Sequence, residues 1–208
     1  MSLHIFLAAL FLFSTTAASH APLLENEFVR VFRDGAPCAG GAAACGDRVV
    51  VALGPIEVGG KKLERGEIEV FKAGQRYSPP KRGDYLEVAI RPGHPQVSAP
   101  APGTPPPPGN KVLYDSKDFT VFAEPMQPGE LSSVHSHNLR LAIFLNRTLV
   151  QQWNAPQAPP NGKSETRELV PDTVMWRPAV VHASKDVGTV PISNLLIEFT
   201  PLKLRAPK

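Results

Sequence analysis

The chain has 208 residues, of which 42% are hydrophobic and 20% charged, so it is long and apolar enough to form one large domain or two small ones. Its 23 prolines and 16 glycines exclude an architecture of long helices and favour short strands joined by turns. The net charge of +3 comes from interspersed charges without a basic run, so we expect no nucleic-acid partner.

The chain begins with an apolar segment that is too short to cross a membrane. Residues 5–13 are continuously apolar, whereas a bilayer span needs about 20 residues. Small residues follow from Ser14 to Ala21. This pattern predicts a signal peptide over residues 1–18, cleaved after Ala18, and an exported protein, periplasmic or secreted, with no membrane attachment after cleavage. A buried N-terminal helix is the alternative interpretation.

Two cysteines, Cys38 and Cys45, flank a loop of alanines and glycines. Export would place them in an oxidising compartment, where a pair so close in sequence can form a disulfide. Two cysteines alone do not complete a metal site. We therefore predict a Cys38–Cys45 disulfide.

A proline-rich segment, residues 98–109, divides the chain, because its consecutive prolines favour an extended spacer. It separates an N-terminal half, residues 19–97, from a C-terminal half, residues 110–208. Both halves contain runs of Val, Ile, Phe and Leu bounded by Gly, Pro, Asn and Asp, which predicts an all-β fold, a sandwich or a barrel. The strands are predicted at Glu27–Phe32, Arg48–Leu53, Ile56–Val58, Glu67–Phe71, Tyr85–Ile90, Lys111–Tyr114, Phe119–Met126, Leu139–Leu145, Thr148–Trp153, Thr173–Trp176 and Leu195–Thr200.

The two halves resemble each other in the order of their strands and turns. The segment Glu67–Tyr77 aligns without gaps on Asp172–His182, with few identities but the same strand followed by the same turn. This similarity predicts a tandem duplication. In the alignment Tyr77 takes the position of His182.

Three histidines of the C-terminal half are candidate metal ligands. His135 and His137 are two residues apart, immediately before a predicted strand, and residues at that spacing on a strand point to the same face. His182 follows a turn later in the chain. Three neutral imidazoles that meet inside a β-barrel would bind a divalent transition metal and leave coordination positions open.

These residues resemble the motifs of the cupin superfamily. The first cupin motif, G-x5-H-x-H-x3-4-E-x6-G, is matched at Gly129, His135 and His137, and the second motif only at His182. The resemblance implies two cupin-type jelly-roll barrels in tandem, with the metal site in the C-terminal half and a degenerate N-terminal half.

The chain departs from the first motif at its glutamate, because Leu141 occupies that position. Strand alternation places Leu139, Leu141 and Ile143 on the face of His137, so we expect an apolar substrate pocket there and expect Arg140 to point away. Gln151 is a further pocket candidate, although it could equally face solvent. No general acid or base is evident near the motif.

A three-histidine site without a carboxylate is similar to the iron sites of cupin thiol dioxygenases and does not choose among Fe, Zn, Ni, Cu and Mn. The main hypothesis is an exported metal-binding bicupin, a small-molecule dioxygenase or another metal-dependent enzyme. The alternatives are a non-catalytic protein that binds a metal or small ligand, and a metal-free structural cupin. A small-molecule partner is expected in the first two cases, and the chain could be a monomer or a homodimer.

Overall fold

The computed structural model describes residues 21–35, 46–95 and 109–199. The predicted signal peptide, both cysteines of the predicted disulfide, and all of the predicted linker except Gly109 lie outside these residues, so these three interpretations stay predictions. In the described part of the chain all regular secondary structure is β-strand, which confirms the all-β class. The same residues contain no helix long and apolar enough to span a bilayer.

The N-terminal half forms a five-stranded antiparallel sheet and a separate hairpin. Its strands are β1 (Leu24–Glu25), β2 (Val29–Arg33), β3 (Arg48–Ala52), β4 (Ile56–Val58), β5 (Lys61–Leu63), β6 (Ile68–Phe71) and β7 (Tyr85–Ile90). The sheet has the order β1-β2-β7-β3-β6, and β4 pairs with β5.

The C-terminal half forms two antiparallel sheets. Its strands are β8 (Lys111–Asp115), β9 (Phe119–Met126), β10 (His135–His137), β11 (Arg140–Phe144), β12 (Thr148–Asn154), β13 (Glu165–Leu169), β14 (Val174–Arg177), β15 (Val180–Asp186) and β16 (Ile192–Phe199). One sheet has the order β8-β9-β16-β11-β14 and the other β10-β15-β12-β13.

The same strand order recurs in the two halves. The N-terminal order β1-β2-β7-β3-β6 matches β8-β9-β16-β11-β14 strand for strand, and the hairpin β4-β5 matches β12-β13. Among the described residues the N-terminal half lacks counterparts of β10 and β15. The duplication is therefore visible in the topology, and among the described residues the hairpin β4-β5 is the part of the second sheet that the N-terminal half shows.

The two five-stranded sheets pack face to face and share one core. Side chains from both halves contribute to it, and all are buried: Phe28, Val29, Val31, Val49, Val51, Leu53, Leu86, Val88, Ile90, Phe119, Val121, Leu141, Ile143, Leu145, Leu195, Ile197 and Phe199. Each half also has a separate interior core on the other side of its sheet. Every residue of β3 and of β11 is therefore buried, because each strand lies between two cores and has no solvent face.

Polar contacts at a turn also join the halves. Arg65 Nε donates to the Leu145 carbonyl at 3.0 Å, and its Nη2 pairs with Asp172 at 2.6 Å. The neighbouring Gly66 has φ +85°, and a Cβ there would lie 2.9 Å from a methyl group of Leu145. Glycine at this turn permits both the left-handed backbone and the close approach of the two halves.

Candidate metal centre

Two neighbouring strands of the C-terminal barrel bring the three histidines together. Strand β10 pairs antiparallel with β15 so that His135 lies directly opposite His182. His137, two residues further along β10, points to the same face. The three side chains are 1%, 1% and 4% exposed. The pairing of a short strand that ends in His-x-His with a strand 45 residues later therefore builds the cluster.

The three imidazole rings are close enough to share one ion. Their centroids are 5.0 Å apart for His135 and His137, 4.6 Å for His135 and His182, and 5.2 Å for His137 and His182. One ring nitrogen from each lies within 4.8 Å of the other two. In the described part of the chain this is the only group of at least three His, Cys, Asp or Glu residues that meets this criterion.

Hydrogen bonds fix the orientation of the first two rings. His135 Nδ1 donates to the Ser133 carbonyl at 2.8 Å, and His137 Nδ1 lies 3.0 Å from a carboxylate oxygen of Glu198. The other oxygen of Glu198 accepts from the Asn138 backbone N–H at 2.9 Å. With the proton on Nδ1, each ring presents the Nε2 lone pair to the centre, as second-shell partners of metal-bound histidines do.

The third ring is held by an amide. His182 Nδ1 lies 3.2 Å from the Gln152 side-chain amide, which also contacts Ser184 Oγ at 3.1 Å. An amide can present its oxygen or its nitrogen, and the oxygen would place the His182 proton on Nδ1. Nε2 of His135 and Nε2 of His182 are both buried without a hydrogen-bond partner. Two orphaned nitrogens that face one point fit a metal ion, because nothing else in the described structure satisfies them.

Burial favours the neutral form of two of the rings. It lowers the pKa of His182 to about 3, with help from the neighbouring histidines, and it lowers the pKa of His135. For His137, burial acts in the same direction, but the carboxylates of Glu124 and Glu198 outweigh it and raise the pKa. His135 and His182 are thus neutral donors at neutral pH, which is the form that binds metals.

A carboxylate that the sequence interpretation missed lies beside the cluster. Glu124, on β9, has Oε1 3.5 Å from His137 Nε2, and its Oε2 accepts from Asn194 Nδ2 at 3.2 Å. Burial opposes its ionisation, but His137 and Asn194 lower its pKa to about 2. The centre is therefore three histidines with one ionised carboxylate nearby, and the expectation that no acid or base lies near the motif is wrong.

The apolar pocket predicted from Leu139, Leu141 and Ile143 is on the wrong side of the strand. Leu141 and Ile143 belong to the core shared by the two halves, and Leu139 packs against it. The prediction assumed that side chains alternate between the two faces without interruption from His137 into β11. The chain instead crosses from one sheet to the other between His137 and Arg140. That crossing reverses which residues face the barrel interior.

The interior of the C-terminal barrel is a small cavity, of about 30 Å³, with a mixed polar and apolar lining. Arg140, predicted to point away, lines it, as do Ala142 and Phe144 of the same strand. Gln151 does not line it and donates instead to Ser164 Oγ at 2.7 Å. The next residue, Gln152, is the glutamine that faces the cavity. The full lining is Glu124, Met126, His137, Arg140, Ala142, Phe144, Val150, Gln152, Arg167, Leu169, Arg177, His182, Ser184, Ile192, Asn194 and Leu196.

The N-terminal half holds an ion pair in the corresponding interior. Arg48 Nη1 donates to Glu87 Oε1 at 2.8 Å, and the Tyr77 hydroxyl donates to Glu87 Oε2 at 2.8 Å. A more open cleft, of about 700 Å³, lies beside the hairpin β4-β5. The residues that line this cleft include no histidine or cysteine. Among the described residues, the candidate metal ligands therefore lie in the C-terminal half.

Comparisons with known proteins concern the fold. No family model matches the chain, and no curated protein matches it. Among solved structures, a cupin domain from Bordetella pertussis Tohama I is 19% identical, with 48% of this chain and 99% of that chain covered and a TM-score of 0.39. A Cupin 2 conserved barrel domain protein from Leptotrichia buccalis is 15% identical, with 85% and 86% covered and a TM-score of 0.49.

A DMSP lyase from Ruegeria pomeroyi is 14% identical, with 54% of this chain and 58% of that chain covered and a TM-score of 0.34. Likenesses this weak in sequence and superposition carry no argument about activity. The two facing sheets of the C-terminal half, with His135 opposite His182, agree with the cupin-type barrel that the sequence motifs imply.

Proposed function

We propose that the C-terminal barrel binds one divalent transition metal through His135, His137 and His182, and that this centre is the active site of a small-molecule enzyme. The observation that carries the proposal is the pair of buried Nε2 atoms, of His135 and His182, that have no hydrogen-bond partner. Leaving such atoms unsatisfied costs about 1–3 kcal/mol each. A bound metal would remove that cost and give the cluster a function.

The donor set favours a borderline metal over a hard one. Three imidazoles suit Fe, Zn, Ni and Cu, and a single carboxylate adds some affinity for Mn. Glu124 is adjacent to His137 and is ionised at neutral pH, so it would either complete the ligand set or remain free as a hydrogen-bond acceptor.

The residues around the centre would have different roles in a metal-dependent enzyme. A divalent ion held there would act as a Lewis acid or as a binding site for O2 and substrate. Glu198 and Ser133 hold two rings in the ligating tautomer. Glu124 is ionised at neutral pH, because His137 and Asn194 lower its pKa to about 2. It would therefore accept a hydrogen bond from a group that enters the cavity and orient that group, but it is too weak a base to remove a proton efficiently. The buried lining limits the access of bulk water.

Elemental analysis of the purified, untagged chain tests metal binding. We expect about one metal per chain, and its loss in His135→Ala and in His182→Ala with retention of the fold by circular dichroism. His94→Ala is the matched control, because His94 lies in the other half against Phe28. Stoichiometric metal in either barrel variant would contradict the proposal. So would a wild-type chain without metal after refolding with Fe, Zn, Ni, Cu or Mn.

A non-catalytic binding role is the second candidate, and the small volume of the cavity favours it. A cavity of about 30 Å³ has room for roughly two water molecules and hence for a small substrate only. O2 uptake and product analysis with small thiols, phenols and diketones separate the two roles. Turnover that disappears in His182→Ala supports an enzyme, whereas bound metal without any turnover supports a binding protein.

The proposal includes export, which rests on the apolar segment at residues 5–13. Expression of the full coding sequence in a bacterial host, followed by fractionation and N-terminal sequencing, tests it. We expect a chain that starts at Ser19 in the exported fraction. A chain that retains Met1 in the cytoplasm would contradict export and leave the metal centre unaffected.

A further inference from the structure

We propose that Arg140, Arg167 and Arg177 form a binding site for a small carboxylate anion inside the C-terminal cavity. All three residues line the same cavity as His137 and His182. The inference rests on the proposed function in one respect, because it names the ligand class that would be presented to the metal centre. The three guanidinium groups themselves are not metal ligands.

Two of the arginines are direct neighbours with like charges. Arg140 on β11 lies opposite Arg177 on β14 in the register of the two strands. Like charges directly opposite in a sheet destabilise it, and Arg140 is only 6% exposed. The arrangement is costly in the free protein and is relieved by an anion between or beside the two groups.

The arginines of this cavity have few partners of their own. Arg140 Nη1 donates to the carbonyls of Pro178 and Asn138, at 3.0 and 3.3 Å, and within the described residues none of the three arginines has an ion pair within 4.0 Å. Arg177 Nη2 and Arg167 Nε are buried and have no hydrogen-bond partner. Guanidinium donors in this state match the paired oxygens of a carboxylate, which accepts two parallel hydrogen bonds.

The two acids near the cavity do not neutralise the arginines by direct contact. Glu198 is held by His137 and the Asn138 N–H, and Glu124 by Asn194. Burial lowers the pKa of Arg140 to about 10, so its guanidinium is still charged at neutral pH. Three cations against two carboxylates leave the cavity positive, and a divalent metal would add to this charge.

Size and lining limit the anion to a short one. The free volume of about 30 Å³ holds roughly two water molecules, which suits a carboxylate of a few heavy atoms. Apolar side chains complete the wall between the charged groups, namely Ala142, Phe144, Val150 and Leu169. A bulky or strongly hydrated anion such as phosphate fits this wall less well than a short organic acid.

Calorimetric titration of the full chain with formate, acetate, inorganic phosphate and neutral acetamide tests the proposal, with and without reconstituted Zn(II). We expect a carboxylate to bind at least tenfold more tightly than acetamide or phosphate. Arg177→Gln should weaken carboxylate binding at least tenfold while the metal content stays at the wild-type value. Arg147→Gln is the matched control, because Arg147 is an exposed arginine paired with Glu168. Arg140→Lys keeps the charge of the most buried arginine and should also weaken carboxylate binding.

The outcomes separate the two proposals. Equal affinity for acetate and acetamide, preferential binding of phosphate, or unchanged binding in Arg177→Gln would overturn the carboxylate site. A wild-type chain that takes up no metal would overturn the proposed function. The titration of the metal-free chain would still test the arginines in that case, because their guanidinium groups are not part of the metal ligand set.

Discussion

The two halves of the chain share a strand order but differ in what fills their interiors. Arg48 and Arg140 are each the first residue of the corresponding strands β3 and β11. Arg48 meets the buried carboxylate of Glu87 at 2.8 Å, and Tyr77 satisfies the other oxygen. Arg140 has only backbone carbonyls as hydrogen-bond partners. In the N-terminal half the interior polar side chains therefore satisfy one another. In the C-terminal half some interior polar side chains lack a side-chain partner, and these are the groups available to a ligand.

The largest expected effect on stability comes from the face of β11 that packs into the core shared by the two halves. Leu141 takes the position of the cupin glutamate but is fully buried in the core shared by the halves. We predict that Leu141→Glu lowers the free energy of unfolding by more than about 4 kcal/mol, because it buries an unpaired charge. Urea denaturation followed by circular dichroism measures the change. Leu149→Glu, at a residue 41% exposed, is the control; tighter Mn(II) binding by a stable Leu141→Glu would place that side chain in the cavity instead.

The ion pair of the N-terminal half gives the next largest effect. Glu87→Ala should lower the free energy of unfolding by about 3–5 kcal/mol, because Arg48 would lose its buried carboxylate. The metal content should not change. Replacing both residues by apolar ones, as in Arg48→Met with Glu87→Leu, should recover much of the loss. A loss of metal in Glu87→Ala would show that the two interiors are coupled and would contradict the independence of their polar groups.

A smaller effect is expected from the carboxylate behind His137. Glu198 accepts from both His137 and the Asn138 N–H, and the single carbonyl oxygen of a glutamine cannot reproduce both contacts with equal geometry. We predict that Glu198→Gln weakens metal affinity about 10–100-fold, measured by competition with a chromogenic chelator. Glu168→Gln, at an exposed acid on β13, should leave the affinity unchanged. Equal affinities in the two variants would remove Glu198 from the metal site.

The smallest effect concerns the turn that joins the halves. Arg65 donates to the Leu145 carbonyl and pairs with Asp172, and its side chain is 38% exposed. We predict that Arg65→Ala lowers the free energy of unfolding by about 1–2 kcal/mol through lost hydrogen bonds. Arg30→Ala, which removes an exposed pair with Glu25, should cost less than about 1 kcal/mol. A separate unfolding transition for each half would show that the shared core does not couple them.

Much of the fold could be predicted because the strong strands have an unambiguous pattern. The run Val49–Val51 and the alternation in Phe119–Met126 predict strands that the structure contains. The weak strands β10 and β15 carry no clear strand pattern, because His-Ser-His has no apolar residue and β15 has only Val180 and Val181 before the mostly polar His-Ala-Ser-Lys-Asp. Their pairing depends on the closure of the barrel, which is a tertiary effect.

The histidines were found because His-x-His and a third histidine form a local and recognisable pattern, whereas the other groups of the cavity come from scattered strands. Glu124 shares the inward face of β9 with Phe122 and Met126, and an acid at that position between two apolar residues was the available signal. Arg140 was assigned to the wrong face because the crossing between β10 and β11 is not marked by a glycine or a proline. One misplaced residue of register reverses the side on which every later side chain lies.

Strand β11 has a consequence for how sequences of this kind can diverge. Its even-numbered positions, 140, 142 and 144, line the cavity, and the two between them, 141 and 143, hold the two halves together. In a saturation mutagenesis experiment these two sets should separate, with ligand selectivity sensitive at the first and expression level sensitive at the second. Substitutions at the first set would then change ligand selectivity during evolution, while the second set keeps the two halves packed together.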